Sequence, residues 1–189
     1  MTILSAEVEQ AAQVLRAGGV IAYATEAVFG LGCDPQNPQA IEKVLQLKQR
    51  PAHKGLILIA AHESQLHSYL ALSTITEAMW QRVRASWPGP VTWLLPAAPQ
   101  VSPILRGEHD TLAVRVSAHA QVRALCEAFG GALVSTSANV SEQAPARNVD
   151  AVARQFAGQL DLILLGHTTG AAKPSEIRDA VTGKIVRAG

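Results

Sequence analysis

Short apolar runs, each closed by polar residues or a turn and separated from the next by a stretch of helical periodicity, constrain this chain more than any other feature. The runs occupy residues 20–24, 56–60, 91–95, 112–116, 132–134 and 160–165. Between them, Ser5 reads as the N-cap of a helix that turns Val8, Ala11, Ala12 and Leu15 inward and stops at Gly18-Gly19. Asn37 and Pro38 open a second helix, with Ile41, Val44 and Leu45 on its apolar face. Residues 63–86 read as helical, with Thr74 and Glu77 at capping-box spacing. Residues 120–129 and the segment from Asn148 to Phe156 give two further helices, and the tail reads as a hairpin around Thr182-Gly183 that ends at Arg187. Gly30-Leu31-Gly32 and Trp87-Pro-Gly-Pro90 are expected to be turns, and residues 96–107 a loop. Strands alternating with helices specify an α/β fold with a mainly buried sheet, and with no repeat or linker in sight residues 1–189 are expected to form one domain.

Charge narrows the function classes. Lysine and arginine number 16 against 15 aspartates and glutamates, so any polyanion site must be a local patch. No stretch reaches the roughly 18 apolar residues of a membrane span. The N-terminus lacks a basic flank and apolar core, and Cys33 and Cys126 are far apart in sequence, which together point to a reducing, cytoplasmic setting with free buried thiols. The histidines form no ligand spacing, so no protein-held metal is expected.

The polar residues that matter lie beside the apolar runs. Thr25 closes the first. The face of the second helix, continued by three residues, reaches Lys48, which should therefore point inward, with Arg50, His53 and Lys54 directly behind it. Two readings fit this cluster: cations stabilised by a helix C-terminus, or a phosphate clamp. Arg115 alternates out of phase with Leu112, Val114 and Val116, either on a solvated sheet face or as a receptor for an anion between Ala113 and Ser117. Ser135, Ser137 and Asn139 end another run and either cap a helix or offer hydroxyls and an amide to a ligand. Together these residues suit a nucleotide- or phosphate-using enzyme with a cationic, concave site at its strand ends.

Tyr23-Ala-Thr-Glu-Ala-Val-Phe-Gly-Leu-Gly32 resembles the Y-P-T-E-T-x-Y-G-L-G stretch of the YrdC-type threonylcarbamoyl-AMP synthases. Leu47-Lys-Gln-Arg-Pro51, Trp87-Pro-Gly-Pro-Val-Thr92, Ala113-Val-Arg115, Ser135-Thr-Ser-Ala-Asn139 and Pro174-Ser175 follow in that family's order, and the likeness is to its short bacterial form. The resemblance implies a twisted mixed sheet flanked by helices. It also implies condensation of L-threonine, bicarbonate and ATP to threonylcarbamoyl-adenylate and pyrophosphate, for modification of adenosine 37 in tRNA. Carried over by motif, Thr25, Arg115 and Ser175 hold threonine, with Arg115 on its carboxylate. Lys48, Arg50 and Arg187 take the ATP phosphates, and Ser135, Ser137 and Asn139 complete the nucleotide side. Magnesium enters with ATP on phosphate oxygens. A separate threonylcarbamoyl-transferase complex is an implied partner, and tRNA or double-stranded RNA is a further candidate. Ala24, Ala27 and Phe29 depart from the family's usual proline, threonine and tyrosine, and Ser-Glu-Ile-Arg-Asp179 from its usual S-T-I-V-D. The competing reading is an RNA-binding maturation factor without chemistry, using the 48–54 cations and Arg115 to track a phosphate backbone.

Overall fold

The computed structural model describes residues 3–171 and 175–188. Its centre is a nine-stranded mixed sheet formed by β1 (Ile21–Ala24), β2 (Phe29–Gly32), β3 (Ile57–Ala60), β4 (Val91–Pro96), β5 (Thr111–Val116), β6 (Leu133–Ser137), β7 (Leu162–Ile163), β8 (Glu176–Asp179) and β9 (Ile185–Arg187), in the order β7-β1-β2-β6-β3-β5-β4-β8-β9. The β7–β1, β3–β5 and β4–β8 pairs are parallel and the other neighbours antiparallel.

Alternation along the strands gives the sheet two unlike faces. Leu58, Val114, Val134 and Trp93 lie side by side across β3, β5, β6 and β4 and are buried on one face. They share a core cluster with Ile41, Val44 and Leu45 of α2 (Pro38–Lys48) and with Met79 and Val83 of α3 (Glu77–Arg84). On the other face, Ile21, Tyr23, Ile59 and Leu133 pack with residues of α1 (Ile3–Arg16) and α5 (Ala120–Phe129). Full burial of side chains of this size contributes about 1.5–3 kcal/mol each before entropy is counted. Those two helices cover only part of the second face. Beyond them the row Ser135, Ile57, Ala113 and Leu94, opposite one another on β6, β3, β5 and β4, floors an open cavity.

Several local expectations change. Gly30-Leu31-Gly32 is not a turn but most of β2, paired residue by residue with β1, and residues 25–28 make the turn instead. The glycines serve a crowded strand: a Cβ on Gly32 would lie 2.6 Å from Tyr23 Cε1 and 2.8 Å from the Val134 carbonyl oxygen. The first helix already begins at Ile3, so Ser5 is inside its first turn and is not its cap. Residues 63–86 form no continuous helix; two 3₁₀ segments, Glu63–Tyr69 and Leu72–Thr74, precede α3. Thr76, whose hydroxyl accepts from the Met79 amide, caps α3, while Thr74 donates to the Ala71 carbonyl. The 96–107 segment holds a short helix, α4 (Pro103–Arg106), with Ser102 as its cap. Asn37 and Asn148 cap α2 and α6 (Val149–Phe156) as expected. Pro174 lies outside the described residues.

Candidate active site

The open part of the second face is a cavity of about 920 Å³. Thr25, Lys48, Arg50, Arg115, Ser135, Ser137, Asn139, Ser175 and Arg187 all line it, so the structure brings every site residue expected from sequence to one place. The strand ends at Thr25 and Ser137 form part of its wall, and the sheet face between them and β8 forms the floor.

Each wall has a local cause. In α2 the apolar positions 41, 44 and 45 face the sheet, and the same phase buries Lys48 to 3 % exposure. The helix then ends at Gln49, whose left-handed backbone (φ 50°) is a conformation that costs a non-glycine residue about 1 kcal/mol. This reversal sends Arg50 back toward the cavity beside Lys48. The Lys48 ammonium donates to the Ser137 carbonyl at 2.6 Å, the Asn139 carbonyl at 2.9 Å and Asn139 Oδ1 at 3.3 Å. Burial, and then the charge of Arg50, lower the lysine to about 8. Asn139 is committed to the same turn: its Oδ1 accepts from Ser137 Oγ at 2.6 Å, and its Nδ2 donates to the carbonyls of Val140 and Gln143.

Arg50 donates to the carbonyls of Gly55 and Lys54, and Arg187 to that of Ser175 at 2.9 Å. Burial and then nearby Arg187 lower the Arg50 guanidinium. Among the described residues neither arginine, nor Lys48, forms an ion pair with a carboxylate. This part of the cavity therefore carries positive charge that neutral carbonyls orient without cancelling. The hydroxyl of Thr25 donates to the Val28 carbonyl at 2.7 Å and keeps acceptor capacity toward the cavity. Ser175 Oγ lies 3.2 Å from Thr92 Oγ1.

Arg115 is 7 % exposed, at the border between the helix-covered and open halves of the face, next to Ile59 across β3–β5. Its partner, which sequence reasoning missed, is Glu26: Nη1 donates to Glu26 Oε2 at 2.8 Å, and Ser117 Oγ donates to Oε1 at 2.7 Å. Its signal in sequence was its place in the Y-P-T-E-T stretch, as an acidic residue directly after Thr25. Trp87 closes an edge of the core, its indole N–H donating to the Val91 carbonyl and its half-buried ring packing on the first core cluster. Among the described residues no group of three or more His, Cys, Asp or Glu could hold a metal ion, and no helix is long and apolar enough to cross a membrane.

The family model Sua5_yciO_yrdC, described as "Telomere recombination", matches residues 13–189. The chain belongs to this family. A threonylcarbamoyl-AMP synthase of Nitrosococcus oceani is 55 % identical over 180 residues, which is 95 % of this chain and 96 % of the relative. One of Vibrio campbellii is 51 % identical over 181 residues, 96 % of this chain and 98 % of the relative. Among solved structures, P. abyssi Sua5 complexed with L-threonine superposes with a TM-score of 0.87 at 31 % identity, over 93 % of this chain. This chain spans about half of that protein, 51 % of its length. The Sua5_yciO_yrdC membership covers the cavity entirely, since every wall described above falls within residues 13–189.

Proposed function

We propose that the protein is a threonylcarbamoyl-AMP synthase, acting as one domain over residues 1–189. The reading is supported above all by the convergence of the family's motif residues on a single cavity with a charge-balanced end at Arg115 and an uncompensated cationic end at Lys48, Arg50 and Arg187. Relatives that match nearly end to end carry the same name.

In this reading Arg115 receives the carboxylate of L-threonine, with Thr25 and Ser175 beside it, and the cationic end receives the triphosphate. The threonine amine attacks carbon derived from bicarbonate, losing water to give an N-carboxy group. An oxygen of that group attacks the α-phosphorus of ATP as the bond to pyrophosphate breaks. The protein contributes alignment of the two substrates and stabilisation of charge on the departing pyrophosphate by Lys48, Arg50 and Arg187. Ser135 and Ser137 offer hydroxyls to the nucleotide, and Asn139 acts by holding the turn that carries them. Magnesium arrives on ATP; among the described residues the cavity's carboxylates, Glu26 and Glu142, belong to no group that could hold it, and Glu26 is already engaged by Arg115 and Ser117. The adenylate then passes to a threonylcarbamoyl-transferase complex that modifies adenosine 37 of tRNA. A cytoplasmic setting fits the buried free thiols of Cys33 and Cys126, both raised by burial to about 12.

The RNA-binding alternative is weakened by the burial of Lys48 and Arg115, which leaves neither free to follow a phosphate backbone. The test is to incubate the protein with ATP, L-threonine and labelled bicarbonate. Threonine-dependent release of pyrophosphate with label in an adenylate is expected, and folded protein that yields neither defeats the reading.

A further inference from the structure

Glu26 has no part in the roles proposed above, yet it is the most constrained carboxylate of the cavity. It is 8 % exposed, its two carboxylate oxygens are taken by Arg115 and Ser117, and its backbone carbonyl accepts from Ala171 N at 3.1 Å and Thr169 Oγ1 at 3.2 Å. Across the ion pair, Arg115 Nε is buried and has no hydrogen-bond partner among the described residues. A guanidinium buried only for structure has its donors satisfied, because an unpaired buried N–H is costly. Here, among the described residues, one terminal nitrogen is occupied and Nε is not.

We infer that Glu26 is a positioning residue for substrate binding: it holds Nη1 of Arg115 and thereby leaves the Nε–Nη2 edge as the fork that receives the carboxylate of threonine. This rests on the synthase reading. A carboxylate binds arginine best through two parallel N–H groups, and with Nη1 occupied that edge is the bidentate fork left. The ion pair also brings the local charge of Arg115 and Glu26 to zero. A zwitterionic amino acid can then be held by geometry, while a phosphate, which needs net positive charge, is directed to the Lys48 end. Glu26 is not poised as a proton acceptor. Although burial opposes its charged form, Arg115 and the Ser117 hydroxyl outweigh that and keep its carboxyl below the usual range.

The test is steady-state kinetics of wild type, Glu26→Gln, Glu26→Asp and Ser117→Ala, with inorganic phosphate as a competing anion. Loss of one charge-assisted contact corresponds to a rise of about 10–100-fold in KM for threonine in Glu26→Gln, with a much smaller change in kcat and in KM for ATP. Glu26→Asp keeps the charge and falls between. Phosphate becomes competitive with threonine in Glu26→Gln but not in wild type, an effect that a merely structural ion pair would not produce. Should Glu26→Gln fail to fold, Ser117→Ala, which frees only one oxygen, is expected to raise KM for threonine about 3–10-fold. Wild-type KM for threonine in folded Glu26→Gln, or in Ser117→Ala where Glu26→Gln is unfolded, overturns the inference. Wild type run alongside separates the two failures: no threonine-dependent pyrophosphate from wild type defeats the synthase reading, whereas activity there with unchanged threonine KM in the variants defeats only the role of Glu26.

Discussion

Arg115 and Lys48 are both buried cations in one cavity, and the fold solves the cost of burying them in opposite ways. Arg115 is matched by a carboxylate at 2.8 Å, so its charge is cancelled on the spot. Lys48 is surrounded by two carbonyls and an amide oxygen, which orient its ammonium but leave its charge whole. Burying a charge without a counter-ion is expensive, and the lowering of Lys48 to about 8 is that expense expressed as a proton affinity. The difference teaches which ligand each end is built for. A neutral pair suits a zwitterion, and an uncompensated cation beside Arg50 and Arg187 suits a polyanion that supplies the missing negative charge.

Removing the uncompensated cation should have the largest effect. Lys48→Ala is expected to slow threonine-dependent pyrophosphate release by about 10²–10³-fold, the range for deleting one preorganised charge-stabilising donor. It should also lower stability by about 1–3 kcal/mol, because the Ser137 and Asn139 carbonyls lose their donor. Pyrophosphate assays beside thermal unfolding separate the two effects. A Lys48→Ala enzyme that works at the wild-type rate would break the comparison at its cationic end.

Arg115→Ala attacks the other end and should show first in stability. It strands Glu26 as a buried, unpaired carboxylate, a loss of about 3–5 kcal/mol by denaturant titration at neutral pH. The sign with pH follows from the lowered Glu26 carboxyl. The pair's stabilisation is complete above the unfolded value near 4.5 and is lost as pH falls through the lower folded value, so wild type and Arg115→Ala should converge on acidification. A gap that stays constant down to strongly acid pH would mean the ion pair is not the source.

How far this contrast could be read from sequence depends on the range of the interactions. The inward phase of Lys48 was legible because three apolar positions of its own helix set it, and the exposure of Arg115 to the second face because strand alternation is local. The Glu26 contact was not, since it joins residues 89 apart and nothing near Arg115 announces it. Nor was β2, where two glycines remove the side-chain pattern by which a strand is recognised, although the crowding by Tyr23 and Val134 that demands Gly32 is plain once the strands are paired. The helix at 103–106 is too short to show a helical period, and the 3₁₀ segments of 63–74 share the polar and apolar spacing of a longer α-helix. Thr25 was legible as a polar residue at a strand end, but its donation to Val28 depends on the hairpin that the glycines concealed.

Proton linkage distinguishes the two ends without a mutation. Lys48 loses charge as pH rises through about 8, and a bound triphosphate restores the charged form. ATP should therefore bind with uptake of about half a proton at pH 8 at this residue, and its affinity should fall as pH rises further. Threonine, which meets a Glu26 carboxylate already held in its charged form, should bind with no uptake from that residue. Calorimetry in buffers of different ionisation enthalpy, with ATP's own titration subtracted, reads both values. The same lowered value means that burial of Lys48 costs stability at neutral pH, a cost relieved progressively as pH rises from about 8 to the unfolded value of 10.5.

The smallest expected effect tests whether the carbonyl cage, and not burial alone, defines the state of Lys48. Ser137 Oγ donates to Asn139 Oδ1, one of the oxygens facing the ammonium. Ser137→Ala deletes that donor and leaves Asn139 Oδ1 to Lys48, so it should cost only about 0.5–1.5 kcal/mol in stability. An oxygen no longer shared with a hydroxyl is a better acceptor for the ammonium, so Lys48 should shift upward and proton uptake on binding ATP at pH 8 should shrink. Threonine affinity, governed by the Arg115 pair, should stay put. If Ser137→Ala instead leaves the uptake unchanged, desolvation and Arg50 set the lysine's charge by themselves, and the cage serves only to aim it.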